Sequence, residues 1–416
     1  MTIKYLIIGG GLAGHNAAAA IREKDTEGSI LIVGAEPRKP YHRPPLTKEF
    51  MQGKDPLEKA YCSPEEFYTE KSIHLALGTV ATKLDASAKT VQLSDGSNVH
   101  YDKLLLATGG SPIRPDAPGM DLPNVHLFRT MDDAAAVSAK ATAGKRVVIV
   151  GGGFIGIELA ASLTQRDVRA TVIDGGPHIW SRFADQQLGG FFQSYCGQRG
   201  VIFLTSEKLV RIEGDSDGAK AVVTASGRSV PCDVVVVAIG IVPNVELAQQ
   251  AGLQVDNGIV CNEYLQSSDA SIYAAGDNCS FLDPYAQRRR RVEHWGQADY
   301  CGTLAGKNMA GGREAYDLLP YVFSDVFDLH LEFSGDEHQA DRKLLRGEMS
   351  NKGFSVLYLK DNRLMAHFTV NLKRKQYGPL NKLIEKKVDL AGKEAQLQDA
   401  GFDLNAFLPQ EQSTKV

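Results

Sequence analysis

The chain has 416 residues, 43% of them hydrophobic and 23% charged, which is an ordinary globular composition and enough length for about two to three domains with cores of their own. Its formal charge of −4 excludes the global field of a nucleic-acid or membrane-surface protein, so any charged partner has to be met by a local patch. The longest apolar run, Val234 to Val242, is about half of a spanning helix. The first strand begins at residue 3, leaving no room for a secretory signal, and a cytoplasmic location is expected.

The first strand, Tyr5 to Ile8, is apolar on both faces and runs into Gly9-x-Gly11-x-x-Gly14. Gly9 permits a tight turn, Gly11 admits a pyrophosphate against the backbone, and Gly14 lets the following helix, from His15 to Glu23, pack close to the strand. That helix aims its positive end at the phosphates. A second apolar strand, Ile30 to Val33, leads to Glu36, about 20 residues past the glycines and at the distance of a ribose hydroxyl. Such a glycine motif set between two strands and closed by an acid predicts a dinucleotide site.

Lys39-Pro-Tyr-His-Arg-Pro-Pro-Leu-Thr-Lys48 follows, and its paired prolines predict a stiff loop without helix. It is either a rigid surface loop or a carrier of positive charge toward the first site. A short helix from Pro64 to Lys71 and antiparallel strands around Val80 and Val91, joined by the turn Ser94-Asp-Gly-Ser97, come next. A buried strand then ends on Ala107-Thr108-Gly109, and ligands of open parallel sheets sit beyond such strand ends. Pro112, Pro115 and Pro118 mark a linker.

The theme then repeats. Arg146 to Val150 is a strand, Gly151-x-Gly153-x-x-Gly156 a turn, Ile157 to Gln165 a helix, Ala170 to Ile173 a second strand, and Asp174 its terminal acid. Two complete fingerprints in one chain imply that two dinucleotides meet. The second unit closes with the apolar run to Gly240 and Pro243. Ser271 to Asp277 is a strand ending in Gly-Asp, its Asp277 either a helix N-cap or a partner for a ligand hydroxyl. Arg288 to Arg291 is either a solvated loop or a docking patch. From Tyr321 the chain alternates as strands and ends in helices, as in a separate α+β domain. The fold class expected is thus α/β, with two Rossmann-like dinucleotide-binding domains and a C-terminal α+β domain. The boundaries are 1–113 and 245–320 for the first dinucleotide domain, 114–244 for the second and 321–416 for the last. The six cysteines show no close pair and no metal-ligand spacing, and predict free thiols.

Over nearly its whole length the chain resembles the flavoprotein pyridine nucleotide reductases of the ferredoxin and rubredoxin reductase type, which share architecture with apoptosis-inducing-factor-like proteins. The motifs that carry the likeness are Gly9 to Gly14, Arg43-Pro-Pro-Leu-Thr-Lys48, Ala107-Thr-Gly109, Gly151 to Glu158, Ala238 to Pro243, Tyr273-Ala-Ala-Gly-Asp277 and Glu293-His-Trp295. The resemblance implies FAD extended across the first domain, on the loop of Gly9, Gly11, Leu12, Ala13 and Gly14. Glu36 would hold the adenosine ribose, Val80 the adenine, Asp277 the ribityl chain and Trp295 the flavin edge. Arg43 and Lys48 would reach the pyrophosphate and flavin, beside the turn Ala107, Thr108 and Gly109. NAD would lie on Gly151, Gly153, Phe154, Ile155, Gly156, Asp174 and Gly240.

The same likeness places a Lys–Glu pair under the isoalloxazine, here Lys48 and Glu158, as the catalytic pair. Glu158 in a first helical turn facing the dipole is the plainer reading of that carboxylate. Phe154 matches an aromatic covering the nicotinamide pocket, with simple packing as the rival. Related disulfide reductases carry a redox cysteine pair where this chain has Tyr41 to Lys48 without cysteine, so electrons leave the flavin directly. Phe323 stands where ferredoxin reductases commonly have Trp. The implied activity is hydride transfer from NADH to flavin, then single electrons to a small acidic ferredoxin or rubredoxin, by a monomer or homodimer. The rivals are a reductase of a small one-electron acceptor or oxygen, and an apoptosis-inducing-factor-like NADH-responsive binding protein.

Overall fold

A computed structural model describes residues 2–409 of the chain. Strand Thr2–Ile8 sits at the centre of the first sheet, with Tyr5 opposite Ile30 on one side and Lys103 on the other, all in parallel. On the Ile30 side the sheet continues to Ile73–Leu77. On the other side Asn98–Leu106 is followed by Ile272–Ala274, which returns from far along the chain. Strand order therefore reverses between Thr2–Ile8 and Asn98–Leu106, and the crevice of an open parallel sheet lies at their carboxyl ends. Leu6, Ile7, Ile30, Ile32, Leu104 and Leu105 are wholly buried there, as strands covered on both faces require.

The alanine-rich helix Leu12–Lys24 packs backbone to backbone on helix Trp295–Met309. A Cβ on Gly302 would stand 2.4 Å from the Ala13 carbonyl oxygen, and one on Gly306 equally close to that of Ala17. Small residues on both sides are what permit this approach, and Asn16 Nδ2 bonded to Asp299 at 2.7 Å fixes its register.

The second sheet is parallel throughout, in the order Ile202–Leu204, Arg169–Ile173, Arg146–Val150, Val234–Val237 and Val125–Leu127. Both edge strands have three residues, too short for a periodic signal, and the sequence reading had placed neither. The outgoing segment Gly110–Pro112 pairs antiparallel with the returning Ile241–Pro243, so the two connections between the sheets form a small ribbon.

By contact, both sheets fall in one compact unit, which runs to Leu282 and takes in Arg289–Tyr316, while Asp283–Arg288 belongs with the residues from Asp317 on. In that second unit five antiparallel strands run in the order Tyr321–Val326, Leu329–Gly335, Arg363–Val370, Gly353–Lys360, Arg342–Glu348. Helix Arg374–Glu385 packs Leu380, Leu383 and Ile384 against Leu357, Leu359 and Leu364.

Two local expectations change. Pro44–Thr47 is one helical turn, because the prolines occupy its first positions, where no backbone N–H is needed and the fixed φ suits a helix. The arginine run is largely engaged within the protein. Arg288 holds Asp336 with two bonds of 2.6 and 2.8 Å, and Arg289 donates to the carbonyls of Cys261 and Ser280. Arg291 reaches the Asp277 carbonyl and Glu293.

Candidate functional site

The first glycine turn divides its residues by what they touch. Gly9 has φ +132°, and a Cβ there would lie 2.0 Å from the Ala107 carbonyl oxygen; a Cβ on Gly14 would lie 2.1 Å from that of Gly9. Both are demanded by the protein itself. At Gly11 nothing comes within 4 Å, so this glycine keeps open a space that the protein does not fill. Leu12 and Ala13 begin the helix behind it, and no side chain caps its first turn, which leaves backbone N–H groups facing that space.

Around the cradle the polar groups are fixed but not saturated. Glu36 accepts from Tyr41 Oη at 2.6 Å and pairs with Arg43 at 3.1 Å, and being 32% exposed it keeps acceptor sites for a ribose. The Gly78 N–H bonds to the Glu36 carbonyl and Thr79 to that of Gly34, which brings the exposed Val80 to the same end. Arg43 also donates to the Arg129 carbonyl. Arg129 pairs with Asp277 at 2.5 Å, and its buried Nε has no protein partner. The sequence reading missed Arg129, which stands outside every glycine motif; its one local signal is the capping box Thr130–Asp133 that follows it.

Asp277 is not an N-cap. The chain passes from Gly276 into strand Cys279–Asp283, and the next helix starts at Trp295 under His294. Its neighbour Asn278 is fully buried, donates to the Leu106 carbonyl and Thr108 Oγ1, and has an unsatisfied Oδ1. Thr108 in turn donates to the Asn244 carbonyl, and the Asn244 N–H to that of Gly109, so the turn Ala107–Gly109 is pinned to the returning connection just past Gly240. Trp295, half-buried, donates its indole N–H to His42 at 3.0 Å.

The second fingerprint has the same division. A Cβ on Gly151 would be 2.3 Å from the Ala238 carbonyl oxygen and one on Gly156 1.9 Å from that of Gly151, whereas Gly153 has nothing within 4 Å. Asp174 accepts the N–H of Gly152 at 2.7 Å with one oxygen and that of Gly176 at 2.8 Å with the other. Phe154 opens the helix Phe154–Thr164 with Phe183 stacked at 5.4 Å and Trp180 at 5.2 Å, while Ile155 beside it is exposed. The first turn of this helix holds no acid. Glu158 lies one turn on, buried, 3.6 Å from Lys48 Nζ, and accepts from Thr47 Oγ1. The dipole reading of Glu158 therefore gives way to an ion pair.

Each cradle fits a dinucleotide: a gap that only Gly11 or Gly153 keeps open, uncapped N–H groups, and an acid at the end of the second strand. Residues 3–302 match the family described as pyridine nucleotide-disulphide oxidoreductase, and residues 321–408 the family described as reductase C-terminal. The chain belongs to the first of these families. It is 36% identical to the ferredoxin–NAD(+) reductase component of an anthranilate 1,2-dioxygenase system of Burkholderia cepacia, over 89% of this chain and 91% of the relative. Rhodocoxin reductase of Rhodococcus erythropolis is 32% identical over 99% and 96%. Among solved structures, the covalent putidaredoxin reductase–putidaredoxin complex superposes with a TM-score of 0.89 at 32% identity, covering 93% of this chain and 94% of that one. A ferredoxin reductase from Rhodopseudomonas palustris gives 0.91 at 29%, covering 97% and 100%. Despite the family's description, all six cysteines of this chain are free, five of them buried. Among the described residues no helix is long and apolar enough to cross a membrane.

Proposed function

We propose that the chain is an NADH-dependent flavoprotein reductase that passes electrons singly to a ferredoxin- or rubredoxin-type iron–sulfur protein. The observation that carries this is the pair of cradles at Gly11 and Gly153 in one compact unit, joined through Lys48 and Glu158. The relatives named as ferredoxin, rubredoxin and putidaredoxin reductases support the acceptor class. Residues 1–113 and 245–320 would bind FAD, residues 114–244 NAD, and 321–416 would form the C-terminal domain. Six free thiols accord with a cytoplasmic location.

Bound FAD supplies the step that nicotinamide lacks, the uptake of a hydride and its release as single electrons. The residues do the rest. Glu36 takes the adenosine ribose, with Tyr41 and Arg43 holding its carboxylate in place. Arg129 and Asp277 hold the chain between ribose and ring, and Arg43 adds positive charge toward the phosphates. Trp295 would lie against the ring edge. Asp174 receives the NADH ribose hydroxyls. Lys48 would be the cation beside the flavin, and Glu158 keeps its ammonium in place. Water is kept out by the aromatic group of Phe154, Trp180 and Phe183.

Anaerobic titration with dithionite tests this reading. Two electron equivalents per FAD should complete the reduction, and uptake of four would reveal a second redox group that the free cysteines argue against.

A further inference from the structure

His42 has no part in the glycine fingerprints, yet its ring reaches across to the helix Trp295–Met309. The indole N–H of Trp295 donates to His42 Nδ1 at 3.0 Å, with ring centroids 5.9 Å apart and planes tilted by 49°. His42 is held from behind, its backbone N–H bonded to the Ala60 carbonyl at 2.7 Å. Its neighbours Tyr41 and Arg43 are both tied to Glu36. The imidazole thus comes from a fixed loop, grips the indole at one edge and leaves it half-exposed.

We infer that His42 is a positioning residue, whose Nδ1 sets the rotation of the Trp295 ring against the flavin. This rests on the placing of Trp295 at the flavin edge under the proposed function. An indole is a donor only, so the bond requires Nδ1 to be an acceptor, which means a neutral imidazole with its proton on Nε2. Protonation puts N–H against N–H and breaks the bond.

Asp299, on the same helix as Trp295, favours the charged ring, while His15, on helix Leu12–Lys24, is itself held down to about 4 and is neutral where His42 would take its proton. Cys62, another neighbour of Asp299, is pushed up to about 12 by burial and stays uncharged. Burial is the larger influence on His42 and holds it below the usual histidine range. The bond is therefore intact at neutral pH and lost only once the pH falls through that lowered value.

The chain has two tryptophans, so in FAD-loaded Trp180→Phe protein the indole emission reports Trp295 alone. That emission should titrate with a midpoint below pH 6.5, and the visible circular dichroism of the flavin should move with it. His42→Asn in the same background keeps an acceptor oxygen and should hold the neutral-pH signals at every pH. His42→Ala should show the acid signals throughout. Overturning results are a titration that survives in both His42 variants, or indole changes with no movement of the flavin signal. A preparation without flavin bands would remove the proposed function and this inference together, and the missing bands themselves would identify that case.

Discussion

Lys48 Nζ lies 3.6 Å from a carboxylate oxygen of Glu158, and each side chain is only 7% exposed, although one belongs to the proline loop of the first fingerprint and the other to the helix of the second. Removing one member of such a pair deprives the other, buried charge of this ion-pair partner. Glu158→Gln should therefore lower the unfolding free energy by about 3 kcal/mol in urea titrations. Lys48→Met should do likewise, and the double variant should recover part of the loss. Flavin reduction by NADH, followed by stopped flow, should slow in both single variants, most in Lys48→Met. Single variants as stable and as fast as the parent would deny the pair any role.

The glycines separate folding from binding. Gly14→Ala places a methyl 2.1 Å from a backbone oxygen and should yield little folded protein. Gly11→Ala meets no protein atom within 4 Å and should fold normally while losing affinity for FAD. Gly153→Ala should fold, keep FAD and raise KM for NADH. Normal FAD content in Gly11→Ala would mean that the first cradle does not hold the pyrophosphate.

NADH should be preferred over NADPH because Asp174 would face the 2′-phosphate with like charge. Its two bonds to Gly152 and Gly176 also shape the turn, so an alanine variant mixes structure with recognition. Asp174→Asn keeps an acceptor and removes the charge, and should narrow the ratio of kcat/KM values by on the order of tenfold. An unchanged ratio would move the discrimination elsewhere.

Stability should fall on acidification below neutrality. Burial lowers His15 from 6.5 to about 4, and His367 in the C-terminal unit likewise. A folded-state pKa below the unfolded value means that the contribution is complete above about pH 6.5 and lost as the pH falls toward 4. Each shift is worth roughly 3 kcal/mol at about 1.4 kcal/mol per unit. The urea midpoint should drop between pH 7.5 and about 5. His15→Gln, which keeps a polar partner for the Tyr68 hydroxyl, should flatten its share of that slope. An equal midpoint at both pH values would contradict both burials.

Both fingerprints were legible in the sequence because their constraints are local: a strand, a turn that excludes Cβ atoms, and a helix within a few residues. The Lys48–Glu158 pair was legible only through resemblance, since nothing in either segment points to the other. Arg129 was not legible, because its role arises from Asp277, 148 residues away, and from the Arg43 guanidinium on its carbonyl. For Asp277 the sequence left a helix cap and a ligand partner both open, and the cap falls away because Gly276 turns the chain into another strand. The arginine run read as either a solvated loop or a docking patch, because the partners that engage it, Asp336 and the Cys261 and Ser280 carbonyls, lie outside the run and only the fold brings them to it.

The central claim concerns where electrons go once NADH has reduced the flavin. Stopped-flow mixing of the anaerobic, NADH-reduced protein with oxidised ferredoxin and, separately, oxidised rubredoxin tests it most directly. The account predicts flavin reoxidation with at least one of them at a rate that keeps pace with steady-state turnover, two acceptor molecules being reduced per flavin. Reduced flavin that persists in the presence of both proteins, yet is rapidly reoxidised by a small oxidant or by oxygen, would contradict it.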